Sequence, residues 1–291
     1  MANTPVVVLD DTLTDIADAI RAKTGGSATM TPSEMPTEIA NIPSGGGTGI
    51  PREVSATGVY QIPPQNFTFS LPATAVDIGE YALQYAFYNC TPLISADLGH
   101  LTTVSGGYAL SNAFYGCTNL ASINFGSLVN ISSDRAFYRA FLGCSSITSA
   151  AFPLLDTISG NNAFNYAFSG CTNLTSINLS ALSTVSGSSA MANAFESCTN
   201  LTSINFASLS EIAGGSALSN TFKGCTSLAS ISFPALTSSS FPGSVTNQLT
   251  NMVSGVTGCT IHFPAAVQAK IETMTGYPNF GGTNTTVLFD L

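Results

Sequence analysis

The sequence predicts an α/β solenoid in which each turn contains one short strand and one short helix. A cysteine recurs every 27 residues, at Cys90, Cys117, Cys144, Cys171, Cys198 and Cys225. A fixed repeat of this length is typical of a solenoid. Hydrophobic residues make up 44% of the 291-residue chain, so stacked repeats can bury a continuous core.

An alternating pattern in each repeat predicts the strand. Ile177 and Leu179 would point to one side of the chain, whereas Ser176 and Asn178 would point to the other. The equivalent segments are residues 122–125, 203–206 and 230–233. Stacking these strands gives a parallel sheet with outward ladders of Ser and Asn.

The apolar residues between strands predict the helix. Ala109, Leu110, Ala113, Phe114 and Cys117 follow the spacing i, i+1, i+4, i+5 and i+8, which is the apolar stripe of a short helix. Glycines near the ends of this segment allow tight corners. We therefore expect one short helix in every repeat.

The seven cysteines are expected to be buried thiols. Each lies on the apolar stripe, where a small thiol packs well. Stacking would also place neighbouring cysteines within disulfide distance, but an odd number with no paired spacing favours free thiols. One cysteine per turn forms a line rather than a tetrahedron, so we expect no zinc site.

The repeat unit itself has a recognisable sequence. Residues 113–125 read Ala-Phe-Tyr-Gly-Cys-Thr-Asn-Leu-Ala-Ser-Ile-Asn-Phe, and the pattern recurs in register from about residue 70 to 265. This pattern resembles the BspA-type (Treponema pallidum-like) leucine-rich repeat family. The resemblance implies a bacterial or phage-borne binding surface rather than a catalyst.

Residues 1–42 lack the repeat and predict a small helical module. Residues 13–22 have helical spacing, and residues 31–34 combine a capping box with a proline at the first helical position. The stretch resembles the N-terminal modules of tail and other structural proteins of phages and prophages, which implies attachment to a virion. A helical cap or a dimerisation segment is the alternative.

Composition sets the other boundaries. Residues 43–69 predict a Gly/Pro-rich linker that leads into the solenoid, and residues 70–253 predict the leucine-rich-repeat solenoid itself. Residues 254–291 predict a C-terminal capping segment with a strand at 259–264, a short helix at 265–275 and a closing strand at 281–289. Such a cap would cover the last turn.

The charge of the chain excludes several partners. Only 8% of the residues are charged and the net charge is −9, which argues against nucleic acid and against anionic membrane surfaces. No apolar run approaches the roughly 18 residues that span a bilayer, so we expect no membrane insertion. The N-terminal residues lack a basic segment followed by a long apolar one, so we expect delivery without a secretory signal.

The repeats offer no catalytic arrangement. His100 and His262, the two histidines, lie five repeats apart, and neither neighbourhood suggests a nucleophile. The carboxylates of the repeats occupy different positions of the unit, so no pair is presented for glycoside hydrolysis. We therefore expect no enzymatic activity, no metal and no cofactor.

An aromatic and basic cluster is the candidate ligand-binding site. Its residues have the offsets i, i+4 and i+7 in neighbouring repeats, which would place them on one outer helical face. They are Tyr81, Tyr85, Tyr88, Tyr108, Tyr115, Arg135, Arg139 and Tyr166. Packing of these side chains against the linker or the N-terminal module is one alternative, and a site on the Ser/Asn sheet is another.

These observations predict a non-catalytic, virion-associated protein of the tail-fibre or tail-tip type that recognises a host surface. The expected partners are a host cell-surface glycan or protein, together with other virion proteins bound through residues 1–42. Virion attachment points are symmetric, so a homo-oligomer is expected. The alternatives are a bacterial surface or secreted adhesin and a virion decoration or spacer without a ligand.

Overall fold

A computed structural model describes residues 6–8, 66–71, 73, 75–242 and 246–291. Its repeats form a β-solenoid of about eight turns, each of roughly 27 residues. The predicted solenoid and its repeat length are confirmed. No helix among the described residues has both the length and the apolar character needed to cross a bilayer.

The first side of the solenoid is a parallel ladder that we call the Ser/Asn sheet. Three or four residues of each strand pair with the neighbouring strand, for example Ser176 with Ser149 and Asn205 with Ser232. The hydrogen-bonded orders are β1-β2-β4-β6, β8-β10 and β12-β14-β15-β16. The bounds are β1 Val6–Val8, β2 Phe67–Ser70, β4 Leu93–Asp97, β6 Ser122–Asn124, β8 Ser149–Ala151, β10 Ser176–Asn178, β12 Ser203–Asn205, β14 Ser230–Ser232, β15 Thr260–Phe263 and β16 Thr286–Phe289.

The second side is a parallel sheet of six two-residue strands in the order β3-β5-β7-β9-β11-β13. The second residue of each strand is a buried Ile or Val, and the first is polar and more exposed. The bounds are β3 Asp77–Ile78, β5 Thr103–Val104, β7 Asn130–Ile131, β9 Thr157–Ile158, β11 Thr184–Val185 and β13 Glu211–Ile212.

The third side is not helical, and the predicted short helix per repeat is not confirmed. Backbone amides alternate between two kinds of partner. Leu110 N donates to Ala136 O of the next turn at 2.7 Å, whereas Ala113 N donates to Leu110 O three residues back at 3.0 Å. We call this structure the turn ribbon; it comprises residues 80–90, 107–117, 134–144, 161–171, 188–198 and 215–225.

The ribbon repeats every four residues, which explains the wrong helix prediction. A residue with positive φ occurs at each fourth position, as at Tyr108 (57°), Asn112 (55°) and Gly116 (69°). Over a segment this short, an apolar period of four is hard to distinguish from the period of about 3.6 residues of an α-helix. The difference lies in the hydrogen bonds, because half of the amides bond to the neighbouring turn.

Stacked phenylalanines fill the core. Phe114 lies 5.2 Å from Phe87 and 5.1 Å from Phe141 between ring centroids, with nearly parallel rings. This column continues through Phe168, Phe195 and Phe222. One identical side chain per turn therefore produces a continuous stack along the solenoid axis.

The cysteines form a second buried column. All seven are free and buried, as the sequence predicts. The Cys117 thiol donates to Phe87 O at 2.9 Å, and the Cys144 thiol donates to Phe114 O at 3.0 Å. Each of these thiols thus tethers one turn to the turn before it.

The two ends differ in how much is described. At the C-terminal end, β15, a 3-10 turn at Ala265–Val267, helix α1 at Gln268–Ile271 and β16 confirm the predicted strand, helix and strand. At the N-terminal end, β1 pairs in parallel with β2. The predicted helices of residues 1–42 lie outside the described residues.

Candidate functional site

The turn ribbon gathers all eight predicted binding residues on its surface. Residues 27 apart are neighbours in adjacent turns, so side chains form three columns along the axis. We call this surface the Tyr/Arg patch. Its first column is Tyr81, Tyr108 and Arg135, its second contains Tyr85, Arg139 and Tyr166, and its third starts with Tyr88 and Tyr115.

Six of these eight residues have a left-handed backbone. Their φ values lie between 55° and 60°: Tyr81, Tyr85, Tyr108, Arg135, Arg139 and Tyr166. This conformation costs an ordinary L-residue roughly 1–2 kcal/mol, and Asn and Gly tolerate it best. In later turns the same columns hold Asn162, Ser189 and Ser216, and Asn193 and Asn220. The fold therefore does not require large side chains there.

The first column is a stack of two rings and a guanidinium. The Tyr81 and Tyr108 rings are 5.4 Å apart and nearly parallel. The Arg135 guanidinium lies 5.3 Å from the Tyr108 ring centroid and donates to the Tyr108 hydroxyl. Partial burial raises the pKa of Tyr81, and the negative charge of the neighbouring Glu80 carboxylate raises it further. This tyrosine is therefore neutral at physiological pH.

A second stack joins the other two columns. The Tyr88 and Tyr115 rings lie 4.6 Å apart at an angle of 10°, and Tyr85 packs against Tyr88 at 5.6 Å. Partial burial raises the pKa of Tyr88, and the neighbouring Tyr115 and Tyr85 add to the effect. The positive charge of Arg139 acts in the opposite direction and lowers the pKa of Tyr88.

Arg139 sits between two rings at the centre of the patch. Its guanidinium is 4.9 Å from the Tyr138 centroid and 5.4 Å from the Tyr166 centroid. The two rings meet edge to face at 6.5 Å. Tyr138 is a member of the patch that sequence reasoning missed, because helical spacing excludes the position directly before Arg139. In the turn ribbon, by contrast, the Tyr138 ring contacts the Arg139 guanidinium.

The charges of this surface are distributed unevenly. Among the described residues, neither Arg135 nor Arg139 has a carboxylate within salt-bridge distance. Further along the third column, Lys223 pairs with Glu196 at 2.8 Å, which raises the pKa of Lys223. The patch therefore carries two unneutralised guanidinium groups, whereas the later lysine is paired.

The competing Ser/Asn sheet uses its amides for the fold. Asn124 donates to Asp97 Oδ1 at 2.8 Å and accepts from Gly126 N at 2.9 Å. Asn178 accepts from Ser180 N at 3.0 Å. These Asn side chains close the turns after the strands, as expected for Asx turns. Fewer polar groups of this sheet are therefore available to a ligand.

The two histidines have ordinary surroundings. His100 is exposed in a loop, and His262 Nδ1 lies 3.0 Å from Asp290 Oδ1, which links β15 to the residue after β16. In the part of the chain that the structure describes, no group of three His, Cys, Asp or Glu side chains is placed to hold a metal ion.

Parallel strands in stacked turns, with identical buried side chains in register, define a solenoid repeat protein. The chain belongs to the family described as BspA type leucine rich repeat region. Six copies match, over residues 59–166, 84–213 and 139–254. The sequence resemblance to this family is thereby confirmed.

Several solved structures are similar to this chain, and two of them are leucine rich repeat proteins of bacteria. A T. pallidum leucine rich repeat protein is 19% identical, covers 67% of this chain and 86% of its own, and has a TM-score of 0.36. A leucine rich cell surface protein from Faecalibacterium prausnitzii A2-165 is 14% identical, covers 76% and 78%, and has a TM-score of 0.17. No curated protein matches the sequence.

Proposed function

We propose that this protein is a non-catalytic recognition protein whose Tyr/Arg patch binds a ligand on a cell surface. Repeats of its family are generally non-catalytic binding repeats. The solenoid supplies a rigid scaffold, and the patch supplies the tyrosine and arginine side chains that dominate binding hot spots.

One observation carries this proposal: large side chains occupy left-handed positions that the fold fills elsewhere with Asn or Ser. Strained backbone of this kind concentrates at functional sites. Tyr108 and Arg139 illustrate the point, since their equivalents in later turns are Ser189 and Asn193. Six large side chains occupy these positions in the first four turns, although Asn or Ser suits the left-handed backbone better.

For location, we propose the virion of a phage or prophage, with residues 1–42 as the attachment module and several copies acting together. Multiple copies on one particle would convert weak binding into useful avidity. The support is the resemblance of residues 1–42 to phage structural modules. A bacterial surface or secreted adhesin fits the same family and the same patch equally well.

The test of recognition is adsorption of the purified full-length protein to candidate host cells. The variant Tyr108→Ser, Tyr115→Ser, Arg139→Asn gives the patch residues that later turns already carry, so we expect it to fold. We expect adsorption to be lost. Unchanged adsorption would exclude the patch as the binding site.

A matched control addresses the other face. The triple variant Ser122→Ala, Ser176→Ala, Ser203→Ala alters three exposed side chains of the Ser/Asn sheet. We expect it to adsorb as well as the unmodified protein. Loss of adsorption in this control alone would move the site to the sheet, and no adsorption by any form would favour a spacer.

Location is tested separately by immunogold labelling and mass spectrometry of particles induced from a strain that carries the gene. Label on the tail tip or fibres is the expected result. Label over the capsid would indicate a decoration, whereas label on cells without label on particles would establish the adhesin alternative.

A further inference from the structure

Resting on the proposed function, we infer that the Tyr/Arg patch binds an anionic glycan. Carboxylate or phosphate groups of the polymer meet Arg135 and Arg139, and its sugar rings pack along the solvent-exposed parts of the tyrosine side chains. Both acidic groups present a pair of acceptor oxygens to which a guanidinium can donate two parallel hydrogen bonds.

The distribution of positive charge points to an acidic ligand. The chain has a net charge of −9, and the described residues include only four lysines and arginines. Two of these, Arg135 and Arg139, lie four residues apart on the same turn and have no carboxylate partner within the described part. Two arginines on one turn, neither paired with a carboxylate among the described residues, favour an anionic ligand at this surface.

The contacts of the two arginines leave donors available. Each guanidinium is stacked on tyrosine rings, Arg135 on Tyr108 and Arg139 on Tyr138 and Tyr166. Stacking occupies the flat face of the group and leaves the terminal N–H groups at its edge as donors, whereas the Arg139 Nε is buried and has no hydrogen-bond partner among the described residues. The rings therefore orient the guanidinium groups for bidentate contact with oxygens.

The tyrosines fit a polysaccharide better than a protein. Their columns cross four consecutive turns, about 14 Å at ~4.8 Å per turn, which gives a narrow track for a linear polymer. A protein interface needs an apolar centre. Of the exposed large hydrophobic residues in the described ranges, Tyr81 alone belongs to the patch.

The experiment measures binding of the full chain to three soluble polymers at low and high salt. Polygalacturonate supplies carboxylates, polyglycerol phosphate supplies phosphates and dextran is neutral. We expect binding to at least one acidic polymer, weaker at high salt, and no binding to dextran. The preferred acidic polymer identifies which acidic group the site takes.

Two variants assign the binding to the arginines. Arg135→Asn with Arg139→Asn places in both columns the residue found at Asn162 and Asn193, so the fold should be kept; we expect affinity to fall by at least roughly tenfold. Lys223→Gln is the matched control, because this cation lies on the same ribbon but is paired with Glu196. We expect it to retain affinity.

The outcomes separate the inference from the proposed function. Equal binding to dextran and acidic polymers, or full affinity in the double arginine variant, would overturn the anionic-glycan inference. So would unimpaired adsorption of that variant to cells, or adsorption that an acidic peptide blocks and acidic polymers do not. Failure of the unmodified protein to adsorb to any host cell would instead overturn the proposed function.

Discussion

Tyr108 combines a strained backbone with a favourable side-chain stack, and the two effects oppose each other. Replacing it with Asn relieves the left-handed strain, worth about 1–2 kcal/mol, but removes contacts with Tyr81 and Arg135 of about the same size. We expect Tyr108→Asn to change the free energy of unfolding by less than about 1 kcal/mol, as measured by urea denaturation.

Tyr138 provides the comparison for this prediction. Its backbone is not among the left-handed positions, yet its ring also contacts the Arg139 guanidinium and meets the Tyr166 ring edge to face. Tyr138→Asn loses contacts without relieving strain, so it should destabilise the protein more than Tyr108→Asn does. The opposite order would show that the left-handed tyrosines are not strained.

The cysteine column predicts a loss of stability in alkali. Burial raises the pKa of Cys144 and Cys225 from 9.0 to about 12, and that of Cys90 and Cys259 to about 11. Unfolded thiols release their protons at lower pH than folded ones, so the stabilisation is complete below pH 9 and is lost as pH rises toward 11 and 12.

Two measurements check the thiol prediction. A thiol reagent at pH 8 should label the folded protein very slowly and the unfolded protein at all seven cysteines. The free energy of unfolding should fall between pH 9 and 11, and Cys144→Ala should make that fall shallower. Rapid labelling of the folded protein would contradict the buried column.

At the level of elements, the strands of the Ser/Asn sheet could be predicted from the sequence, whereas the two-residue strands of the second sheet and the turn ribbon could not. Alternating polar and apolar residues, such as Ser176, Ile177 and Asn178, indicate a β-strand, because successive side chains of a strand point to opposite faces. The stripe from Ala109 to Cys117 fits both a helix and a ribbon of period four. Hydrogen bonds between turns decide between them, and these depend on stacking that a single repeat does not contain.

Adjacent turns approach each other closely at one corner of the solenoid, where several turns have a glycine. A Cβ on Gly187 would lie 2.1 Å from Gly160 O, a backbone atom that cannot move aside independently. Gly79 has the same position in the first turn, and a Cβ there meets no atom of the described residues within 4 Å. We expect Gly187→Ala to lower the free energy of unfolding by about 1–3 kcal/mol and Gly79→Ala to leave it unchanged, in urea denaturation. Equal effects would mean that the corner adjusts.

Across the whole molecule, the repeat makes the location of the site predictable even where its local structure is not. A residue and its equivalent 27 positions later become neighbours in any solenoid of this register, so Tyr81, Tyr108 and Arg135 had to meet. The contact of Tyr138 with Arg139 depended on the ribbon geometry, and this is why the sequence did not reveal it. The long-range order of the patch thus follows from the repeat, and its local detail follows from the turn.

The same one-dimensional architecture makes the last strand important for solubility. Each turn is covered only by its neighbours, and β16 covers β15, where Phe289 packs on Phe263 at 6.2 Å. Deleting residues 286–291 would expose the Phe263 column and the edge of β15, and an open hydrophobic edge promotes aggregation. We expect the truncated chain to melt at lower temperature and to aggregate, measured by calorimetry and light scattering.

The control Asp290→Asn keeps β16 and weakens only the charge interaction with His262, so it should remain soluble with a nearly unchanged melting temperature. A truncated chain that stays monomeric and equally stable would show that the turn ending in β15 closes the solenoid without help from β16.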